Sequence, residues 1–267
     1  MTNDTAGDAD ARLDTCVAAA ERGGALALDS FRSPLSVETK GGPMDSVTQV
    51  DRAVQEDVFD RIAEDYPDDP VVGEEADALK SVPEAGPAWV VDPIDGTNNY
   101  VAGNRNWVTS VACCVDGEPV AAANYAPATD DLYAAADTTT RNGEVATTSD
   151  RTDAASFLVN PIFGLSPAHR RGLTDVVDTV TSSFGDLRRL GSAQAALSGV
   201  AAGELEAAVS TVRLNDWDTV AGVHLVRSAG GAVTDVHGDR WTPGSEGLLA
   251  SNDAAHHALV SAFDPRT

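Results

Sequence analysis

The chain reads as an α/β protein, α+β in its first half and α/β in its second. Two observations set that reading. From residue 156 onward, helix-period and strand-period segments alternate, the pattern of helices layered on a sheet. Before that, two helical segments lead into short strand-like runs parted by Asp-Gly, Asn-Gly and Pro turns, the pattern of antiparallel strands. The polar, turn-rich stretch TTSDRTDA (147–154) lies between them, so the expected domains are 1–148 and 149–267.

Taken in order, Leu13, Cys16, Val17, Ala20, Leu26 and Leu28 recur at roughly helical spacing and predict a first helix over 9–30. KGGPMDS (40–46) predicts a loop. Val47, Val50, Val54, Val58 and Ile62 stand three and four apart, so 47–66 predicts an amphipathic helix that PDDP ends. VVGEE (71–75) and WVVD (89–92) predict short buried strands, and TNNYVAG (97–103) a short helix. Strands and turns fill 106–136, with a further hairpin at Asn142-Gly143. In the second half, 156–160, 204–210, GAVTDVHG and EGLLASN predict strands. Helices are expected over 169–184, 192–203, 217–231 and 253–263, the third closed by a glycine cap.

The 267 residues carry 18 basic and 42 acidic side chains, a net charge of −24. Affinity for nucleic acids and anionic membranes rests on Lys and Arg, so partners of those classes are not expected. The acids are spread along the chain, and Lys40 and Lys80 are the only lysines, which resembles the surfaces of proteins from a salt-rich cytoplasm. No apolar run reaches the length of a membrane span, and MTNDTAGDADARLD lacks the basic and apolar regions of a signal peptide. A cytoplasmic location is the expectation. Cys16, Cys113 and Cys114 suit buried small hydrophobes better than a disulfide framework or a zinc site.

The chemistry concentrates in WVVDPIDGTNNY (89–100). Asp92 and Asp95 follow an apolar run, Glu74 is the first of the two acids that close VVGEE, and Asp218 stands at the head of WDTVAG. Acids at strand ends and helix starts project into the cleft where α/β folds bind ligands. Buried close together they would repel one another, and a hard cation such as Mg²⁺, which takes oxygen ligands, relieves that repulsion. Asp92 is placed to bridge two ions, Asp95 to add a second carboxylate, and Pro93 to hold the turn so that the Ile94 carbonyl points back at a metal. Gly96 and Thr97 then offer backbone N–H donors to an anion at the start of the short helix. Paired divalent ions suit phosphoryl transfer.

Together these segments resemble the inositol monophosphatase family of the lithium-sensitive, magnesium-dependent phosphatases. WVVDPIDGTNNY looks like its first signature, WDTVAGVHLVRSAGG (217–231) its second, Gly73-Glu74-Glu75 its upstream GEE, and Thr48-Gln49-Val50-Asp51 its helix-borne TxxD. The resemblance spans the chain and implies a layered αβαβα sandwich of the inositol monophosphatase/fructose-1,6-bisphosphatase type. It implies two to three Mg²⁺ ions, held by Glu74, Asp92, the Ile94 carbonyl, Asp95 and Asp218. Asp51 and Thr97, with Glu74, would orient the attacking water, and the Asp95-Gly96-Thr97 turn would bind phosphate. Gly191-Ser192-Ala193 matches the loop that holds substrate hydroxyls, and Lys40 the family's loop lysine. The substrate implied is a small polyol or sugar phosphate, and the assembly a homodimer. One position departs. Members acting on myo-inositol phosphates often carry an acid seven residues before the second-signature aspartate, where this chain has Thr211. Arg188, Arg189 and Arg213 could instead meet a second phosphate, and archaeal relatives also hydrolyse fructose 1,6-bisphosphate. A 3′-phosphoadenosine phosphatase and a non-catalytic regulatory protein are the other readings.

Overall fold

The structure is a computed structural model that describes residues 2–34, 37–39, 46–75, 78–164 and 167–264. Lys40 and most of its loop lie outside these. The chain opens with α1 (Thr2–Ser30), β1 (Val37–Thr39), β2 (Ser46–Thr48) and α2 (Gln49–Asp65). It continues through β3 (Val71–Gly73), β4 (Pro87–Asp95) and α3 (Thr97–Val101). Next come β5 (Val108–Val115), β6 (Glu118–Ala126), β7 (Asp131–Ala135), β8 (Thr139–Arg141) and β9 (Glu144–Val145). The second half holds β10 (Leu158–Pro161), α4 (Pro167–Ser183), β11 (Asp186–Leu187), α5 (Ala193–Ala201) and β12 (Ala207–Ser210). It ends with α6 (Val220–Ser228), β13 (Gly231–Thr234), β14 (Leu248–Asn252) and α7 (His256–Phe263).

Strands β3 to β9 form one sheet in chain order, with β3 parallel to β4 and the rest an antiparallel meander. The turns obey their sequence signals. Asp116-Gly117 and Asn142-Gly143 take positive φ at both residues, as two-residue hairpins require. The second sheet runs β11-β10-β12-β14-β13, with parallel pairs on one side and antiparallel pairs on the other.

Three apolar clusters order these sheets into five layers. Cys16 and Ala20 of α1 and Val54, Val58 and Ile62 of α2 pack on Trp89, Val91, Val111 and Cys113, one face of the first sheet. Its other face, through Val90, Ala112, Cys114 and Ala122, meets Ala196, Leu197 and Val200 of α5 and Val223 and Val226 of α6. Those helices also reach Ala208, Leu248 and Ala250 of the second sheet. Its far face, Val159, Val209 and Leu249, is covered by Val176 and Val180 of α4 and Leu259 of α7. The period-two alternation of the strands makes this possible: Cys113 and Cys114 are chain neighbours in different layers. Arg12 is buried where α1 meets the sheet, 3.0 Å from Asp69, 3.2 Å from Cys113 Sγ and 4.7 Å from the Tyr66 ring centroid. No helix among the described residues is long and apolar enough to cross a membrane.

Two boundaries differ from the expectation in ways that shape the site. Strand β4 does not stop at Asp92. It runs to Asp95 through a bulge, pairing Asp92 with Ser110 and then Asp95 with Val108, so β4 carries one extra residue. A proline is tolerated there because the ladder is already broken. The second-signature helix begins at Val220 rather than Trp217, with Asn215–Thr219 forming a turn ahead of it.

Candidate active site

Asp92 and Asp95 of β4 converge with Asp218 from the turn ahead of α6, with one ligand-capable oxygen from each within 4.8 Å of the others. Asp92 and Asp95 are buried, and Asp92 Oδ1 has no hydrogen-bond partner. Each remaining carboxylate has one oxygen engaged by the scaffold. Asp95 Oδ2 accepts from Ser192 Oγ and from the Gln194 backbone N–H, at the first turn of α5. Asp218 Oδ2 accepts from Asn215 Nδ2 at 2.9 Å. The acids therefore present open oxygens to one another. Burial, then Glu74, Asp95, Asp218 and Asp51, push the Asp92 carboxyl well above the usual carboxylate range. Burial, then Asp95 and Glu74, push Asp218 up to about 8. Burial raises Asp95 too, against the donors at α5. Glu74 is half-buried just past β3, close enough to act on both neighbours.

The bulge of β4 positions the next groups. Thr109 Oγ1 donates to the Pro93 carbonyl at 2.9 Å, which satisfies the extra residue. The Ile94 carbonyl lies 3.0 Å from Thr97 Oγ1. That hydroxyl lies equally close, 3.0 Å, to Asp51 Oδ1. Asp51 is fully buried near the start of α2, and its Oδ2 accepts from Thr48 N at 2.8 Å and Thr48 Oγ1 at 2.6 Å in a capping box. So Asp51 is locked by its own helix start and aims its free oxygen at Thr97. Gly96 turns the chain from β4 into α3 at φ +97°, and a Cβ there would stand 2.9 Å from the Asn106 carbonyl. Only glycine meets both conditions.

The sequence profile of the inositol monophosphatase family matches residues 8–266. The chain belongs to the inositol monophosphatase family. An inositol-1-monophosphatase of Bacillus subtilis is 30% identical over 90% of this chain and 91% of its own. A fructose-1,6-bisphosphatase/inositol-1-monophosphatase of Thermotoga maritima is 31% identical over 93% and 94%. Among solved structures, a Thermotoga maritima IMPase superposes with a TM-score of 0.86 at 28% identity, covering 95% of this chain and 96% of that one. The αβαβα layering is the fold of this family.

Not every residue singled out by family pattern gathers at the cluster. Ser192 does, through Asp95, and its hydroxyl also accepts from Ala195 N as the N-cap of α5. Gly191, at φ +79°, sits against Asn99, whose Nδ2 donates to the Asn106 and Leu190 carbonyls and so holds the loop to α3. Ala193 opens α5 beside them. Arg188 is exposed and ion-paired with Asp186. Thr211 faces α4, 3.6 Å from where a Cβ on Gly172 would be. Sequence reasoning missed Asn215, which holds Asp218, and Gln194, which holds Asp95. The NDWD spacing could have suggested an Asx turn at Asn215. Gln194 inside an apolar helix was a signal passed over, since a buried amide needs partners.

Proposed function

We propose that the protein is a Mg²⁺-dependent phosphomonoesterase that acts on a small polyol or sugar phosphate of the inositol-1-phosphate type. The observation that carries this is the cluster of Asp92, Asp95 and Asp218, with Asp92 Oδ1 buried and unpartnered. A buried carboxylate oxygen with no donor, beside two more acids, is costly unless a cation takes the place of the donor. Glu74, Asp92, Asp95, Asp218 and the Ile94 carbonyl would hold two or three Mg²⁺, an all-oxygen set that suits a hard ion. Such ions neutralise phosphoryl charge and acidify water.

The chain's own residues supply the rest. Thr97 gives its hydroxyl proton to Asp51 Oδ1, which leaves the Thr97 oxygen to accept from the attacking water. Asp51 thereby orients that water and is placed to take up its proton through Thr97, and Glu74, a neighbour of Asp92 and Asp218, is the second carboxylate that would act on the water. The N–H groups of Gly96 and Thr97 bind phosphoryl oxygens beside Asp95. Asp95 is pinned through Oδ2, which would leave Oδ1 to serve a cation. Gly191, Ser192 and Ala193 line the side where the alcohol moiety sits.

A second reading is favoured by the Thermotoga relative named for both activities. A bisphosphate would need to draw Arg188 away from Asp186, or use Arg189, which makes no ion pair among the described residues. Phosphate release is measured over inositol, fructose, glycerol and nucleotide phosphates, with and without Mg²⁺, in high salt. Mg²⁺-dependent turnover of inositol 1-phosphate supports the first reading, and preference for fructose 1,6-bisphosphate the second. Turnover that persists in Asp92→Asn would refute both. A homodimer is the proposed assembly, to be read by light scattering.

A further inference from the structure

Gln194 is fully buried in the first turn of α5. Its backbone N–H donates to Asp95 Oδ2 at 2.6 Å. Its side-chain Nε2 donates to the Trp217 carbonyl at 2.7 Å. Its Oε1 accepts from Gly222 N at 2.8 Å and from Asn124 Nδ2 at 3.0 Å. Asp95 ends a strand of the first sheet, while Trp217 directly precedes Asp218 and follows a strand of the second. One residue therefore ties together acids that arrive from opposite sheets. The fit is close: a Cβ on Gly222 would stand 2.9 Å from Gln194 Oε1 and 2.4 Å from Leu197 Cβ, so α6 needs glycine where the amide reaches it.

Lys80 extends the tie to the third segment. Its ammonium donates to the Gly73 carbonyl at 2.9 Å and the Glu74 carbonyl at 3.0 Å, and lies 5.5 Å from the Trp217 ring centroid. Trp217, the neighbour of Asp218, is thus linked to the Glu74 segment through Lys80 and to the Asp95 carboxylate through Gln194. Mutually repelling carboxylates do not hold a common spacing by themselves, so the scaffold has to impose it. A buried primary amide suits that task, because it donates to one segment's carbonyl while it accepts from another segment's N–H.

We propose that Gln194 is a positioning residue: through Trp217 it sets the separation of Asp95 and Asp218, and with it the affinity of the cluster for a divalent cation. The inference rests on the metal reading above. It goes beyond that reading by assigning the spacing to a residue that touches no ion.

The test is calorimetric titration of the full chain with MgCl₂, alongside thermal melting in EDTA. Gln194→Glu keeps the acceptors for Gly222 and Asn124 but sets an acceptor against the Trp217 carbonyl. Gln194→Met removes the amide without adding charge. Asn124→Ala is the control, since it breaks the same buried network without touching Trp217 or Asp95. The expected result is a Kd for Mg²⁺ about tenfold higher or more in both Gln194 variants, in the range found when partners of metal ligands are removed. Asn124→Ala should bind within twofold of the wild type although it melts earlier. Wild-type affinity in both Gln194 variants overturns the proposal, and so does an equal loss in Asn124→Ala. A wild-type protein that takes up no Mg²⁺ refutes the metal reading itself, which separates the two failures.

Discussion

Replacing Asp218 with asparagine in the metal-free protein should make the fold harder to melt at alkaline pH. Burial and its acidic neighbours raise this carboxyl to about 8, against roughly 3.9 in an unfolded chain. The folded state therefore binds the proton more tightly than the unfolded state. Stability is greatest below the unfolded value, falls as pH rises from about 4 to about 8, and levels off above. Each unit is worth about 1.4 kcal/mol. Solvent reaches the partly exposed Asp218, so the full shift is cut by roughly half, which leaves about 2–3 kcal/mol by pH 8. For a chain of this size that is roughly 5–10 °C in Tm. Asp218→Asn removes the group that titrates. In EDTA and constant high salt, its Tm should approach the wild type's below about pH 4, exceed it progressively as the pH rises, and lead by that margin at about pH 8.5. Saturating Mg²⁺ should reverse the order, because an ion at 100 times its Kd adds about 2.7 kcal/mol to a protein that binds it. Differential scanning calorimetry reads both. A variant that melts at or below the wild type at every pH in EDTA would show that these carboxylates do not repel one another, and the reasoning would fail.

Asp51→Asn should lower kcat about 10²- to 10⁴-fold with Mg²⁺ affinity unchanged, because it alters the acceptor of the Thr97 proton rather than an ion ligand; phosphate release and calorimetry together check it. Gly96→Ala should cost about 2–3 kcal/mol in urea unfolding, through positive φ and a contact with backbone that cannot give way. Arg12→Met leaves Asp69 without its buried partner and should cost about 3–5 kcal/mol by chemical denaturation, with kcat unaffected in the surviving folded protein. With a net charge of −24, Tm should rise by several degrees between low salt and molar KCl, a shift readable by circular dichroism.

Local chemistry was legible in the chain, and long-range partnership was not. Thr48 and Asp51 read as a helix-borne TxxD by resemblance, and the capping box they form was within reach because it involves residues only three apart. Asn142-Gly143 read as a hairpin because the dipeptide alone supplies both positive φ values. DPIDGT read as a ligand-bearing turn, yet the turn proved to be at Gly96 and the aspartates proved to lie on one bulged strand. A bulge is defined by the partner strand, and no residue within β4 names Ser110 or Val108 as its neighbours. Trp217 read as helical from its apolar spacing. The hydrogen bonds that hold Asn215–Thr219 in a turn, and the pull of Gln194 on the Trp217 carbonyl, override that period. Gln194 and Lys80 stayed silent for the same reason: their partners lie on other segments, and a single sequence carries no record of them.

The alternation that sends Cys113 and Cys114 to opposite sides of one strand gives the molecule a pair of built-in timers. Both thiols are fully buried, and burial lifts Cys113 to about 11 and Cys114 higher still, so neither forms a reactive thiolate in the closed fold. Cys113 becomes accessible only when the α1/α2 layer lifts off, and Cys114 only when α5 and α6, the helices that flank the acidic centre, separate from the first sheet. The order in which a thiol reagent captures these two adjacent residues would therefore report which side of the sheet breathes first.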